Sequence, residues 1–183
     1  MNAAHLHLIL THLPIVAVPV ALVFLLQSFR SGSQASRRFA FLMLMVSALS
    51  AVPVFLTGEP AEEVVEHLPG VLESLIDKHE EAGEVAMVLS VITGVLALAG
   101  FLVDRAASEG SALGRPVKLS RYAVVFSAVV TMGALAFTGN LGGQIRHTEI
   151  RGAGAEKGEA QEHGEAQEHG EAREHENGER DDD

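Results

Sequence analysis

Residues 85–103 read VAMVLSVITGVLALAGFLV and contain no charged side chain. A helix needs about 20 such residues to cross the hydrocarbon core of a bilayer. Three further stretches of similar length and character lie at residues 6–26, 39–56 and 122–141. They are apolar all round, whereas a helix on a soluble core would show a polar face. The sequence therefore predicts an all-α fold, a four-helix transmembrane bundle.

The basic residues predict the orientation of this bundle. Seven bases lie in or beside the first and third connections: Arg30, Arg37, Arg38, Arg105, Arg115, Lys118 and Arg121. The second connection, residues 57–84, has nine acids and one base. Since short basic loops stay in the cytoplasm, we expect both termini and the second connection in the periplasm. The expected location is a bacterial inner (cytoplasmic) membrane, with the lipid bilayer as surroundings.

Two segments outside the spans have their own character. In the second connection, apolar positions from Val71 recur at spacings of three and four, which predicts an amphipathic outer helix before the third span. His79 belongs to that apolar stripe, so its ring is expected to point inward. Residues 152–183 are acidic and repeat GEAQEH, which predicts a disordered tail. The expected organisation is therefore a membrane domain at 1–151 followed by this tail.

Composition and motifs exclude several classes of function. The chain carries a net charge of −11 and has no Cys, so disulfides, thiolate metal sites and covalently attached haem are excluded. No basic patch suggests nucleic acid binding. Phosphate loops, Rossmann fingerprints and nucleophile–base motifs do not occur. We therefore assign no catalytic residue and favour an electron-transfer or binding protein over an enzyme.

Histidines concentrate where the predicted spans would reach one side of the membrane. Six of the nine lie there: His5, His7, His12, His67, His79 and His147. In the first helix His5 and His12 are seven residues apart and share a face, and His7 points away from it. An ionisable residue as deep as His12 usually faces the bundle interior and is functional. The alternative is a neutral histidine bonded to a carbonyl that a proline has freed.

Imidazoles from different helices predict a non-covalent b-type haem. The expected cofactor-binding residues are His7, His12, His79, His147, Gly142, Gly143 and Arg146. His12 would be one axial ligand and His79 or His147 the other. The glycines would make room, and Arg146 could clamp a propionate. The expected role is one-electron transfer between quinol or an iron–sulfur partner and a periplasmic carrier.

Two other functions remain open. Imidazoles and carboxylates are also ligands for Zn, Cu or Ni. The expected ligands of such an ion are His12, His67, His79, Glu80 and His147. In the third interpretation the protein is a structural membrane subunit whose histidines only satisfy backbone groups.

The segment from His7 to Pro14 has the pattern His-x4-His-x-Pro at the start of the first of four spans. This resembles a widespread bacterial family of membrane proteins classed as a domain of unknown function, over about residues 5–150. The family often has an aromatic where this chain has Leu13, which indicates a divergent branch. Some relatives are joined to Rieske or cytochrome-type domains. The resemblance implies a membrane fold that works with redox proteins. The residues that match the family pattern are His7, His12 and Pro14.

Overall fold

The computed structural model describes residues 2–108 and 114–151 of the chain. This part folds into five α-helices and one 3-10 turn: α1 Ala3–Ser31, α2 Gln34–Leu56, α3 Gly58–Val65, α4 Glu73–Ser108, α5 Gly114–Arg146 and the turn Thr148–Ile150. The described residues include no β-strand. The predicted tail, residues 152–183, lies outside them.

Four of these helices are long and apolar enough to cross a membrane, namely α1, α2, α4 and α5. The expected helical fold with four helices able to span a membrane is therefore confirmed for the described residues. All four extend beyond the apolar stretches seen in the sequence, because polar residues cap them or continue them. The side chain of Asn2 accepts a hydrogen bond from the backbone of His5 at the start of α1. Gly32 ends the helix in the left-handed conformation, with φ of 67°.

The four long helices pack side by side in the order α1, α2, α4, α5, and α5 also contacts α1. Leu25, Phe41, Leu44 and Val124 are fully buried where they meet. A β-carbon at Gly94 of α4 would collide with Ala48 of α2, so the glycine sets how closely these helices approach. Large apolar side chains remain exposed on the outside, as a lipid-facing surface requires: Val23, Leu49, Val95 and Phe126 are examples.

Successive spanning helices run in opposite directions, so the bundle has two ends, and these ends differ in chemistry. The start of α1, the end of α2, the first turns of α4 and the end of α5 form what we term the histidine end, which contains His7 and His79. The opposite end, where Arg37, Arg121 and Asp104 meet, is the arginine end. Helix α4 runs without a break from Glu73 through the third span. Residues 73–84, where a separate amphipathic helix was expected, are therefore the first turns of the helix that contains this span.

A small apolar cap and one arginine close the histidine end. Leu72, Leu75 and Ile76 of the α4 region pack on Ile145 near the end of α5. Arg151 then donates hydrogen bonds to the carbonyls of Gln144 at 2.8 Å, Ile145 at 3.1 Å and Gly70 at 2.5 Å. The last turn of α5 and the loop before α4 are thus joined by one side chain.

Candidate functional site

Two histidines from different helices meet inside the histidine end. His7 of α1 and His79 of α4 have ring centroids 6.4 Å apart and ring planes at 79°. Both side chains are half-buried, at the level where α2 ends and α3 begins. The sequence separates them by 72 positions, and the antiparallel packing of the bundle brings them together. This pair is the candidate site.

The ring of His79 is held by the backbone of α5. Its Nδ1 lies 3.0 Å from the carbonyl oxygen of Thr138. A carbonyl can only accept, so Nδ1 carries the hydrogen and donates it. In the neutral ring the other nitrogen, Nε2, then has no hydrogen and presents a lone pair. His79 is therefore set up as a ligand through Nε2.

The ring of His7 is held in the same way by a hydroxyl. Its Nδ1 lies 3.1 Å from Oγ1 of Thr57. That hydroxyl has one proton, and it is 2.9 Å from the carbonyls of both Pro53 and Val54 at the end of α2. With its proton donated to a carbonyl, Thr57 accepts from Nδ1 of His7. Both rings thus use Nδ1 for position and keep Nε2 for another partner.

A glycine makes room for the His79 ring. A β-carbon at Gly142 of α5 would lie 2.9 Å from Cε1 of His79, closer than real contacts allow. Gly143 has a different role, because its β-carbon would meet Ile150 at 3.4 Å. The side-chain hydroxyl of Thr138, beside the His79 contact, is buried without a hydrogen-bond partner in the described part of the chain. The site thus contains an unused hydroxyl as well as two lone pairs.

The family model described as a predicted membrane protein (DUF2231) matches residues 3–149. The chain belongs to this family. The matched range contains both histidines and Gly142, and the DUF2231 description names a membrane and no reaction. Comparisons with curated proteins and with solved structures each gave no match.

The first helix of this DUF2231 member corrects one expectation from the sequence. His5 and His12 are exposed on the outside of the bundle, and His7 points inward. Nδ1 of His12 lies 2.6 Å from the carbonyl of Leu8 in its own helix. The expectation that His12 faces the interior is therefore wrong. The buried face of α1 contains Pro14, Val18, Ala21 and Leu25, and counting back seven residues from Pro14 reaches His7.

The remaining candidates lie on the surface, apart from the histidine pair. His67 is 85% exposed and 3.3 Å from Glu66. His147 is 63% exposed and pairs with Glu149 at 2.9 Å. A hydrogen bond from its own backbone and this histidine hold the pKa of Glu149 below its usual value. Glu80 and Arg146 are also exposed.

No three His, Cys, Asp or Glu side chains lie close enough to hold one metal ion within residues 2–108 and 114–151. The five residues expected to bind Zn, Cu or Ni are therefore not brought together as a set. A bare-ion site stays a prediction, and it would need ligands beyond those described.

Sequence reasoning missed the two threonines that position the histidines. Thr57 follows one apolar stretch and Thr138 lies near the end of another, and both look like ordinary helix-end residues. Only the pairing of α1 with the end of α2, and of α4 with α5, reveals their partners. A usable signal was the position of Gly142, four residues after Thr138, since a glycine one turn away leaves space beside that carbonyl.

Proposed function

We propose that the protein holds a b-type haem between His7 and His79 and transfers single electrons within the membrane. The observation that carries this proposal is the shared state of the two rings: each is oriented through Nδ1, and each keeps Nε2 for a ligand. Histidines that bind metals are almost always oriented by a hydrogen bond from the other nitrogen. Compared with the expectation from sequence, His7 instead of His12 would hold the haem together with His79.

The separation of the rings supports two ligands on one iron. Two imidazoles that hold one metal have to be close neighbours, because each metal–nitrogen bond is only about 2 Å long. The observed separation is 6.4 Å.

The donor set favours haem over a bare ion. Structural zinc sites take four protein ligands, and no third candidate lies beside this pair among the described residues. A porphyrin supplies four nitrogen ligands itself and needs only one or two further ligands from the protein. Two imidazoles are then a complete set. When bound, the haem would supply the one-electron chemistry, and His7 and His79 would hold it.

The protein residues would control this chemistry through the orientation of the two rings and the space around them. Thr57 and the Thr138 carbonyl fix the two ring orientations. Gly142 leaves the space that the His79 ring occupies.

The site lies near one end of the bundle, so quinol in the bilayer and an iron–sulfur or cytochrome-type carrier in the aqueous phase could both approach it. We propose that this end faces the periplasm, in line with the distribution of basic residues.

The test is the visible spectrum of the full chain, purified in detergent after expression with added haem precursor. We expect a Soret band that weakens strongly in His7→Gln and His79→Gln. His12→Gln and His147→Gln are the matched controls and should keep it. Size-exclusion chromatography and helical circular dichroism show whether each variant is folded.

Three outcomes would overturn the haem proposal. One is a wild-type protein without a Soret band, and another is a band that survives in folded His79→Gln. The third is stoichiometric metal without porphyrin in elemental analysis, which would favour Zn, Cu or Ni binding instead. Thr57→Val offers a finer test, because loss of a positioning bond should shift the reduction potential while the band remains.

A further inference from the structure

A chain of hydroxyl groups joins α4 to α5 inside the bundle. Oγ1 of Thr93 lies 2.7 Å from Oγ1 of Thr131 and 2.5 Å from Oγ of Ser127. Oγ1 of Thr131 lies 3.2 Å from the carbonyl oxygen of Leu89. Thr93 and Thr131 are fully buried, whereas Ser127 is half-buried. The chain therefore runs from the interior of the bundle to its surface at Ser127.

The carbonyl at the inner end of this chain fixes the direction of its hydrogen bonds. A carbonyl oxygen can only accept, so Thr131 donates its one proton to Leu89. Thr93 then donates to Thr131, because two oxygens 2.7 Å apart need a proton between them. By the same reasoning Ser127 donates to Thr93. With its proton used in this way, the oxygen of Ser127 can only accept from a further partner.

Ser127 lines an apolar groove on the outside of the bundle. The groove lies between α4 and α5 and has a volume of about 330 Å³. Its other lining residues are apolar and include Ile92, Phe126 and Val130. These three side chains are exposed on the lipid-facing surface, and Phe126 is 72% exposed. A molecule dissolved in the bilayer can therefore reach the oxygen of Ser127.

The groove combines one hydrogen-bond acceptor with apolar walls and one aromatic ring. Ligand sites are mostly apolar, and a few polar groups in them fix the orientation of the ligand. A matching ligand has a hydroxyl that donates to Ser127, a flat ring that packs against Phe126, and an apolar tail for the bilayer. We propose that the groove binds the head group of a lipid-soluble hydroquinone, which has all three. Its oxidised form, a quinone, has no proton to donate.

This groove is separate from the histidine pair. Ser127 lies eleven positions before Thr138 on α5, which is about 17 Å along the helix. Binding of a hydroquinone can therefore be measured whether or not haem is present. Only its use as an electron donor would rest on the proposed function.

The experiment compares three ligands that differ at the two ring oxygens: decylhydroquinone, decylbenzoquinone and the dimethyl ether of decylhydroquinone. The full chain in neutral detergent is incubated with each ligand without oxygen and separated from free ligand by size exclusion. Liquid chromatography then quantifies the retained ligand, and protein-free micelles give the blank. We expect the hydroquinone to bind about fivefold more tightly than the other two, as for one net hydrogen bond.

Variants of Ser127 test the source of this preference. Ser127→Ala should remove the preference, because the groove then has no acceptor. Ser127→Thr keeps the hydroxyl and should keep the preference. The matched control is Ser90→Ala, since Ser90 is a buried hydroxyl of α4 that bonds to the carbonyl of Ala86 and lies outside the chain. Circular dichroism and size-exclusion chromatography show whether each variant is folded.

Thr131→Val tests the direction of the chain and leaves the groove residues in place. Without the hydroxyl of Thr131, Thr93 is free to donate to Ser127, and the proton of Ser127 can then point into the groove. The preference for hydroquinone over quinone should shrink or reverse. An unchanged preference in this folded variant would contradict the proposal, even if Ser127→Ala does not fold.

Equal binding of hydroquinone and quinone to the wild-type protein would overturn the proposal, and so would a preference that survives in Ser127→Ala. Decanol is a further probe, because it has a hydroxyl and an apolar tail but no ring. If decanol binds as tightly as the hydroquinone, the ring has no part in recognition and the hydroquinone assignment is wrong. A wild-type protein that prefers the hydroquinone but shows no Soret band would contradict the haem proposal alone.

Discussion

The two ends of the bundle hold their polar groups by different means. At the arginine end a buried carboxylate is held by full charges, and its near partner lies 2.6 Å away on another helix. At the histidine end two imidazole rings are held by a hydroxyl and a carbonyl. A charge contact that is removed leaves its partner unbalanced inside the bundle. The hydrogen bonds at the other end fix orientation and leave one nitrogen of each ring unused. The first arrangement serves stability, and the second leaves ligand atoms available.

The largest effect should follow from removing the carboxylate. Asp104→Ala leaves three arginines without their acid, and we expect a loss of about 3–5 kcal/mol in the free energy of unfolding. Denaturant titration in neutral detergent, followed by circular dichroism, measures it. The matched control is Glu81→Ala, an exposed acid near the start of the same helix, which should change stability by less than about 0.5 kcal/mol. Similar losses in the two variants would mean that the buried carboxylate stabilises the protein no more than an exposed one, and would contradict the stabilising role of the arginine end.

A smaller loss of stability is expected at the histidine end when one methyl group is added to Gly142. Gly142→Ala places a β-carbon 2.9 Å from Cε1 of His79, so the ring must move off the Thr138 carbonyl. We expect a loss of about 1–3 kcal/mol in the free energy of unfolding, as for other overpacked sites, together with weaker binding of the proposed haem. Gly139→Ala is the control on the same helix, because its β-carbon would meet nothing within 4 Å. If Gly142→Ala behaves like Gly139→Ala, the glycine does not shape the site.

The smallest effect concerns the acids around the histidine end and depends on pH. Burial, and then Glu80, Glu66, Asp77 and Glu59, raise the pKa of Glu62 in α3 above its ordinary value of 4.5. Because the folded state holds this proton more tightly, its contribution favours folding below pH 4.5 and is lost as the pH rises through the raised pKa. Glu62→Gln should therefore stabilise the protein at neutral pH, by less than about 0.5 kcal/mol, and not at pH 4.

Unfolding free energies of wild type and Glu62→Gln at the two pH values measure this difference. Glu63→Gln, an exposed neighbour on α3, is the control for loss of one negative charge. A gain of the same size in both variants would mean that the net charge of the end matters, and that the position of Glu62 does not.

The sequence was sufficient to predict the four spanning helices, because a long uncharged stretch has few other stable solutions. It also indicated His79 as a residue of an apolar stripe. It failed at the first helix, where spacing from His5 to His12 defined a face but did not say which face is buried. The stripe of Pro14, Val18 and Leu25 resolves that choice in favour of His7. Apolar residues surround α1 on every side, so hydropathy alone could not distinguish lipid from protein.

The partners of the two rings could not be predicted for a different reason. Thr57 contacts His7 across 50 positions, and Thr138 contacts His79 across 59. Such contacts depend on the relative height of neighbouring helices, which a single sequence does not specify. The arginine cluster was likewise visible only as positive charge in two connections. Its convergence on Asp104 depends on the packing of α2 with α4 and α5.

The three carbonyls that share Arg151 have a mechanical consequence. The side chain joins the last turn of α5 to Gly70, so outward movement of either segment has to break hydrogen bonds of Arg151. We therefore expect the two segments to open together and not one at a time. The rate of such local opening would limit how fast the proposed haem is acquired or released.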